Sequence, residues 1–186
     1  MKAWQHFCTI TRHRWLVRQG CFKVGLYWQG LTHDLSKYAP AEFLVGARYY
    51  QGTRSPNAAE RDDKGYSEAW MHHKGRNRHH FEYWTDLSRE TRRYEAVEMP
   101  RRFLAETVMD RIAACKIYQG EKYTDAAALE YFMESRERDL IHPETQKQLE
   151  FLLTMLREQG EKETCRYIKH QLLRGAPFPW EEKTEE

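Results

Sequence analysis

Two adjacent residues constrain this chain most. His33 and Asp34 close an apolar run, Val24-Gly25-Leu26-Tyr27-Trp28-Gln29-Gly30-Leu31-Thr32, that reads as a largely buried helix. Burying a carboxylate beside an imidazole is costly unless both are hydrogen-bonded or hold a cation. Successive side chains on a helix diverge by about 100°. Both members of the pair therefore reach a common point only near a helix end or through convergent rotamers. A divalent ion satisfies both groups at once. The fold has to bring further donors to that point, and the sequence offers His13 upstream, His72, His73, His79 and His80 downstream, and Asp110 beyond them.

Five of the nine histidines lie between positions 33 and 80. For a single histidine, a surface position or a hydrogen-bonded core position is the more economical reading. For this set, metal binding is, because neutral imidazole is the commonest protein ligand for zinc, iron and similar ions. The expected cofactor is one or two divalent ions of manganese, iron, cobalt, nickel or zinc. His72 and His79 fall near one face if their helix continues, and His73 pairs with Asn77. Which histidine of each pair ligates stays open.

Asp110 lies on a helical face with Phe103, Thr107, Ala114 and Ile117. A carboxylate on such a stripe needs a partner, either the metal or one of Arg102 and Arg111. Lys37, three residues after Asp34, is suited to hold a phosphate oxygen, as are Arg76 and Arg78, which flank Asn77 inside the cluster. Solvated charge is the competing reading for all three. Glu42 reads as a first-turn carboxylate favoured by the helix dipole. His6 and His170 read as peripheral, and His142 as the start of a helix.

The rest of the chain predicts an all-α, single-domain helical bundle over 1–175, with an extended tail at 176–186. A helix over 4–18 ends at Gly20. A second, Phe22–Thr32, delivers the His-Asp pair, and Pro40 opens a third. Residues 51–65 read as a polar loop turning helical late. A helix from Tyr66 is interrupted at Gly75, and His79 starts another. Pro100 opens Arg101–Tyr118, closed by Gly120. Helices follow near 125–138, 143–158 and 161–173, and no alternating strand pattern occurs. Trp28, Trp70, Tyr83 and Trp84 read as core.

With 186 residues the chain can bury a real core. The net charge of +2 carries no general nucleic-acid or membrane signal, so a nucleic-acid partner is not expected. No apolar run approaches the roughly 20 residues that span a bilayer. Mean hydropathy is −0.90, and the four cysteines show no paired spacing. Together these predict a cytoplasmic protein with reduced thiols.

His13, then His33-Asp34, then Asp110 resembles the H…HD…D pattern of the HD-domain superfamily, all-helical metal-dependent phosphohydrolases. His33-Asp34-Leu35-Ser36-Lys37 is similar to the HD-x-x-K segment of some members. More closely, HDLSK-x-x-P-x-E-F followed by A-W-x-H-H-K-x-x-N-x-H-H-x-x-Y-W looks like a small bacterial and phage family of unknown function, from His13 to about Glu144. The superfamily resemblance implies an HD-domain-like fold. It also implies a first metal held by His13, His33, Asp34 and Asp110, and a second held, or the first completed, by some of His72, His73, His79 and His80. Lys37, Arg76 or Arg78 would stabilise charge on a small phosphorylated substrate, by resemblance a nucleotide. Two other readings stand beside this one. One is a di-iron oxygenase of a small substrate. The other is a non-catalytic, metal-stabilised helical binding module.

Overall fold

The computed structural model describes residues 1–181. Among them are eight α-helices and one small two-stranded sheet. The helices are α1 (Lys2–Val24), α2 (Tyr27–Thr32), α3 (Pro40–Tyr49), α4 (Pro56–Lys64), α5 (Glu68–Lys74), α6 (Arg101–Gln119), α7 (Ala127–Glu134) and α8 (Pro143–His170). The fold is all-α. No helix among the described residues is long and apolar enough to cross a membrane.

Helix α1 runs through Gly20, where the sequence predicts a stop. A Cβ at Gly20 would lie 2.7 Å from Met109 Sδ, so this glycine serves the close packing of α1 on α6. The stop is Gly25, at φ 88°, whose N–H bonds back to the carbonyls of Cys21 and Phe22. Proline at the first turn and a side-chain cap recur further on. Ser55 accepts from the Asn57 amide ahead of Pro56, and His142 accepts from the Glu144 amide ahead of Pro143. Ser67 caps α5 through the Trp70 amide.

The core lies between α1, α6 and α8. Val17 and Cys21 meet Leu104 and Val108, and Leu152, Leu153, Leu156 and Ile168 close the far side, all fully buried. Helix α8 is interrupted at Gly160, a non-helical kink at φ 79° and ψ 169°. The sequence reads two helices there, and the kink is their boundary. The described part of the expected tail is docked rather than free. Phe178 is fully buried and stacks on Trp180 at 4.7 Å, while Trp180 Nε1 donates to Glu144. Residues 182–186 lie outside the described part.

Two further expectations need correction. The segment after His80 is not a long helix. One 3-10 turn leads into β1 (Thr85–Leu87), which pairs antiparallel with β2 (Tyr94–Ala96), with Asp86 opposite Glu95. Both strands are short and almost wholly exposed, so no buried alternation marks them in the sequence. Trp28 is not core either. It is 73% exposed, on an outer face of α1 and α2 that also leaves Trp4 and Trp15 in water.

Helices α1 and α3 touch where the buried His6 ring faces Gly46, between Phe43 and Tyr50. A Cβ at position 46 would collide with His6 Nε2. Gly46→Ala is expected to cost about 1–3 kcal/mol of stability by overpacking, read as a lower midpoint in urea unfolding. Burial, helped by the charge on Lys37, lowers the His6 pKa to about 4. An unfolded histidine titrates near 6.5, so below that pH only the unfolded chain takes up this proton. Stability should fall between about pH 6.5 and 4, with His6 contributing up to about 3 kcal/mol of the loss. Urea unfolding of His6→Gln against the parent across that range measures it. An identical pH slope in both would remove His6 as a cause.

Candidate metal centre

Four segments bring their side chains to one point. Helix α1 supplies His13 from its buried face. Helix α2 ends at Thr32. His33 then leaves it in a non-helical conformation, and Asp34 turns into the left-handed region at φ 52°, ψ 27°. This change of backbone direction aims two consecutive side chains inward, which a continuing helix forbids. Asp tolerates the left-handed conformation better than most residues, and strain of this kind persists where the surroundings hold it in place. Helix α5 and the turn after it supply His73, His79 and His80, and α6 supplies Asp110.

Asp34 is fully buried and divides its oxygens. Oδ2 lies 3.2 Å from His33 Nε2 and 3.6 Å from His13 Nε2. Oδ1 lies 3.3 Å from His73 Nε2 and 3.4 Å from His79 Nε2. Asp110 Oδ1 completes the first group, 2.9 Å from His13 Nε2 and 3.4 Å from His33 Nε2. His80 belongs with the second group, its ring 4.1 Å from that of His79. Both oxygens of Asp34 and the Nε2 atoms of His13, His33, His73, His79 and His80 are buried without a hydrogen bond. A buried polar atom normally has a partner. Here seven atoms of metal-ligand chemistry, drawn from distant parts of the chain, face each other and the ionic groups Asp110 and Lys37 rather than ordinary hydrogen-bond partners.

Two further carboxylates fix the rings from behind. Glu42, buried on α3, accepts from His73 Nδ1 at 2.7 Å and His72 Nδ1 at 2.6 Å. Glu106, on α6 one turn before Asp110, accepts from His33 Nδ1 at 2.9 Å and lies 3.2 Å from His79 Nδ1. A carboxylate only accepts, so Nδ1 carries a proton and Nε2 is the atom turned towards Asp34. Against the effect of burial, Asp34 and the carboxylates around them raise the pKa of His33 and His73, so each of those rings also holds an Nε2 proton that a cation would displace. Behind His73, the Asn77 amide donates to the Ser36 hydroxyl and to the His73 carbonyl. Arg14 Nε donates to the His33 carbonyl. Trp70 packs on the second group, 4.7 Å from the His80 ring and 5.6 Å from His73.

The electrostatics match this arrangement. Burial works against ionisation of Asp34, Asp110, Glu42 and Glu106, yet their hydrogen bonds and neighbouring cations hold all four carboxyls below the usual range. Burial and the His79 and His73 rings keep His80 neutral. Burial also opposes a charge on Lys37, but Asp34 and Asp110 outweigh it and raise its pKa. Its ammonium lies 2.6 Å from Asp34 Oδ2. Four carboxylates around one ammonium leave an excess of negative charge, to be offset by protons on the histidines or by divalent cations. The donor set fits divalent cations.

A family model described as a family of unknown function, DUF5662, matches residues 2–155. The chain belongs to the DUF5662 family. No curated protein and no solved structure matches it. Every residue of the centre, from His13 to Asp110, lies inside the DUF5662 match, while the end of α8 and the docked tail lie beyond it.

Of the candidate ligands read from the sequence, His13, His33, Asp34 and Asp110 form one group, and His73, His79 and His80 join Asp34 in another. His72 does not join. It points to Glu42 from the opposite side of the carboxylate to His73 and is partly exposed. Lys37 is at the cluster, whereas Arg76 and Arg78 are not. Arg76 folds back to the His72 carbonyl, and Arg78 lies over the Tyr83 and Phe103 rings. Both are exposed, and the contacts they make are with the protein surface rather than with Asp34. The sequence reading also missed two contributors. Glu42 does lie in the first turn of α3, as read, and in addition accepts from two histidines. Glu106 carried a usable signal, since it sits one turn from Asp110 on the same face of α6.

Proposed function

We propose that this DUF5662 protein is a divalent-metal-dependent phosphohydrolase of the HD-domain type, acting on a nucleotide or another small phosphate ester. The observation that carries this reading is Asp34, whose two buried oxygens face two separate groups of imidazoles, with the Lys37 ammonium paired to one of them. His13, His33, Asp34 and Asp110 would hold one ion, and Asp34, His73, His79 and His80 a second. Such ions supply a water of lowered pKa and polarise a phosphoryl oxygen. The chain's own part is to keep the imidazole lone pairs aimed through Glu42 and Glu106, and to place the Lys37 charge where a phosphate oxygen enters. The side chains of Lys37 and Asp110 are 28% and 17% exposed. The first group thus meets solvent, which favours catalysis over a closed structural site.

The test is metal content of untagged protein purified without chelator. Phosphate release from nucleoside mono-, di- and triphosphates is then assayed with manganese, cobalt, nickel, zinc or iron restored. Release that needs the metal and disappears in Asp34→Asn is the expected result. Metal-loaded protein that releases no phosphate from any of them would overturn the hydrolase reading, and two equivalents of iron with substrate-dependent oxygen uptake would replace it with the oxygenase.

A further inference from the structure

Glu106 occupies an unusual place in the centre. His33 belongs to the first ligand group and His79 to the second, yet both Nδ1 atoms converge on the same oxygen, Glu106 Oε1, at 2.9 Å and 3.2 Å. The two rings lie 4.4 Å apart. The Glu106 side chain is 6% exposed, so no water competes for that oxygen. Glu106 is also fixed in place. It sits on the buried face of α6, and the next residue, Thr107, donates its hydroxyl to the His79 carbonyl at 2.5 Å. The same turn of helix thus holds His79 by its backbone and by its ring. Glu42 makes the contrast clear. It too is a buried carboxylate behind the ligands, but of its two histidines only His73 belongs to a ligand group.

We propose that Glu106 is a positioning residue shared by both metal positions, so that the two are organised together by a single carboxylate oxygen, whereas Glu42 serves the second position alone. The inference rests on the metal reading given above. Its physical basis is that a carboxylate behind a ligating histidine fixes the tautomer and aims the lone pair, and its loss typically costs 10–100-fold in metal affinity. One oxygen accepting from two rings places that cost on both positions at once. Gln at 106 keeps a carbonyl acceptor but loses the charge and offers its other atom as a donor. Leu removes the acceptor altogether.

The experiment is calorimetric titration of metal-free protein with cobalt(II) chloride, followed in parallel by the visible cobalt absorption. Circular dichroism of each metal-free variant establishes that it is folded. The parent should take up two equivalents. Glu42→Gln should weaken one equivalent by about 10–100-fold and leave the other as in the parent. Glu106→Gln should weaken both by at least about tenfold, and Glu106→Leu should weaken both further. If Glu106→Gln weakens only one equivalent, or neither, the shared role is wrong while the metal centre stands. If the parent binds no cobalt with these donors free, the metal reading and the inference fall together. Should Glu106→Leu not fold, the Gln variant decides alone.

Discussion

Asp34→Asn should bind neither equivalent of metal and should lose, in the same substitution, all stabilisation by metal. An amide has one acceptor oxygen, whereas Asp34 presents one oxygen to His13 and His33 and the other to His73 and His79. Both positions therefore lose a donor and its charge. A ligand that binds only the folded state stabilises it by about 2.7 kcal/mol at one hundred times its Kd. In a domain of this size that corresponds to a rise in Tm of roughly 5–10 °C per occupied position. Melting curves with and without added cobalt or manganese should show that rise in the parent and none in Asp34→Asn. A variant that keeps the full rise would remove Asp34 from the centre.

Lys37→Met should behave in the opposite way, keeping metal and losing turnover. Its ammonium lies against Asp34 Oδ2, an oxygen that a bound cation would also use. Removing it should leave cobalt affinity unchanged or tighter. Its charge is then missing where a phosphoryl group develops negative charge, and loss of one such stabilising group costs about 10²–10³ in kcat. Cobalt titration and phosphate release, measured on one preparation, separate the two effects. Unchanged kcat would take Lys37 out of the mechanism, and lost cobalt binding would make it a structural residue instead.

The centre was legible wherever residue type alone carries the chemistry. His33-Asp34 at the end of an apolar run, a dense group of histidines and a carboxylate on the apolar face of α6 all point to cation binding before any coordinates. Orientation was not legible. His72 and His73 are equivalent as residue types, and only the position of Glu42 on α3 decides that one faces Asp34 and the other turns away. Arg76 and Arg78 flank the right turn but leave it in other directions. Glycine was ambiguous in the same way. Gly20 and Gly25 carry the same local signal, yet one admits Met109 against the helix and the other ends it. The hairpin was invisible because its strands bury almost nothing.

Trp70 lies tilted against His73 and edge-on to His80, which gives the protein an internal optical reporter. Cobalt(II), nickel(II) or manganese(II) between those imidazoles would be a paramagnetic quencher within a few ångströms of an indole, whereas Trp4, Trp15 and Trp28 emit from water on the outer face. Iodide suppresses the exposed population and leaves the blue-shifted emission of the partly shielded rings. Within that emission, the loss of intensity on adding metal reads the second position, so the order in which the two fill can be followed without a label.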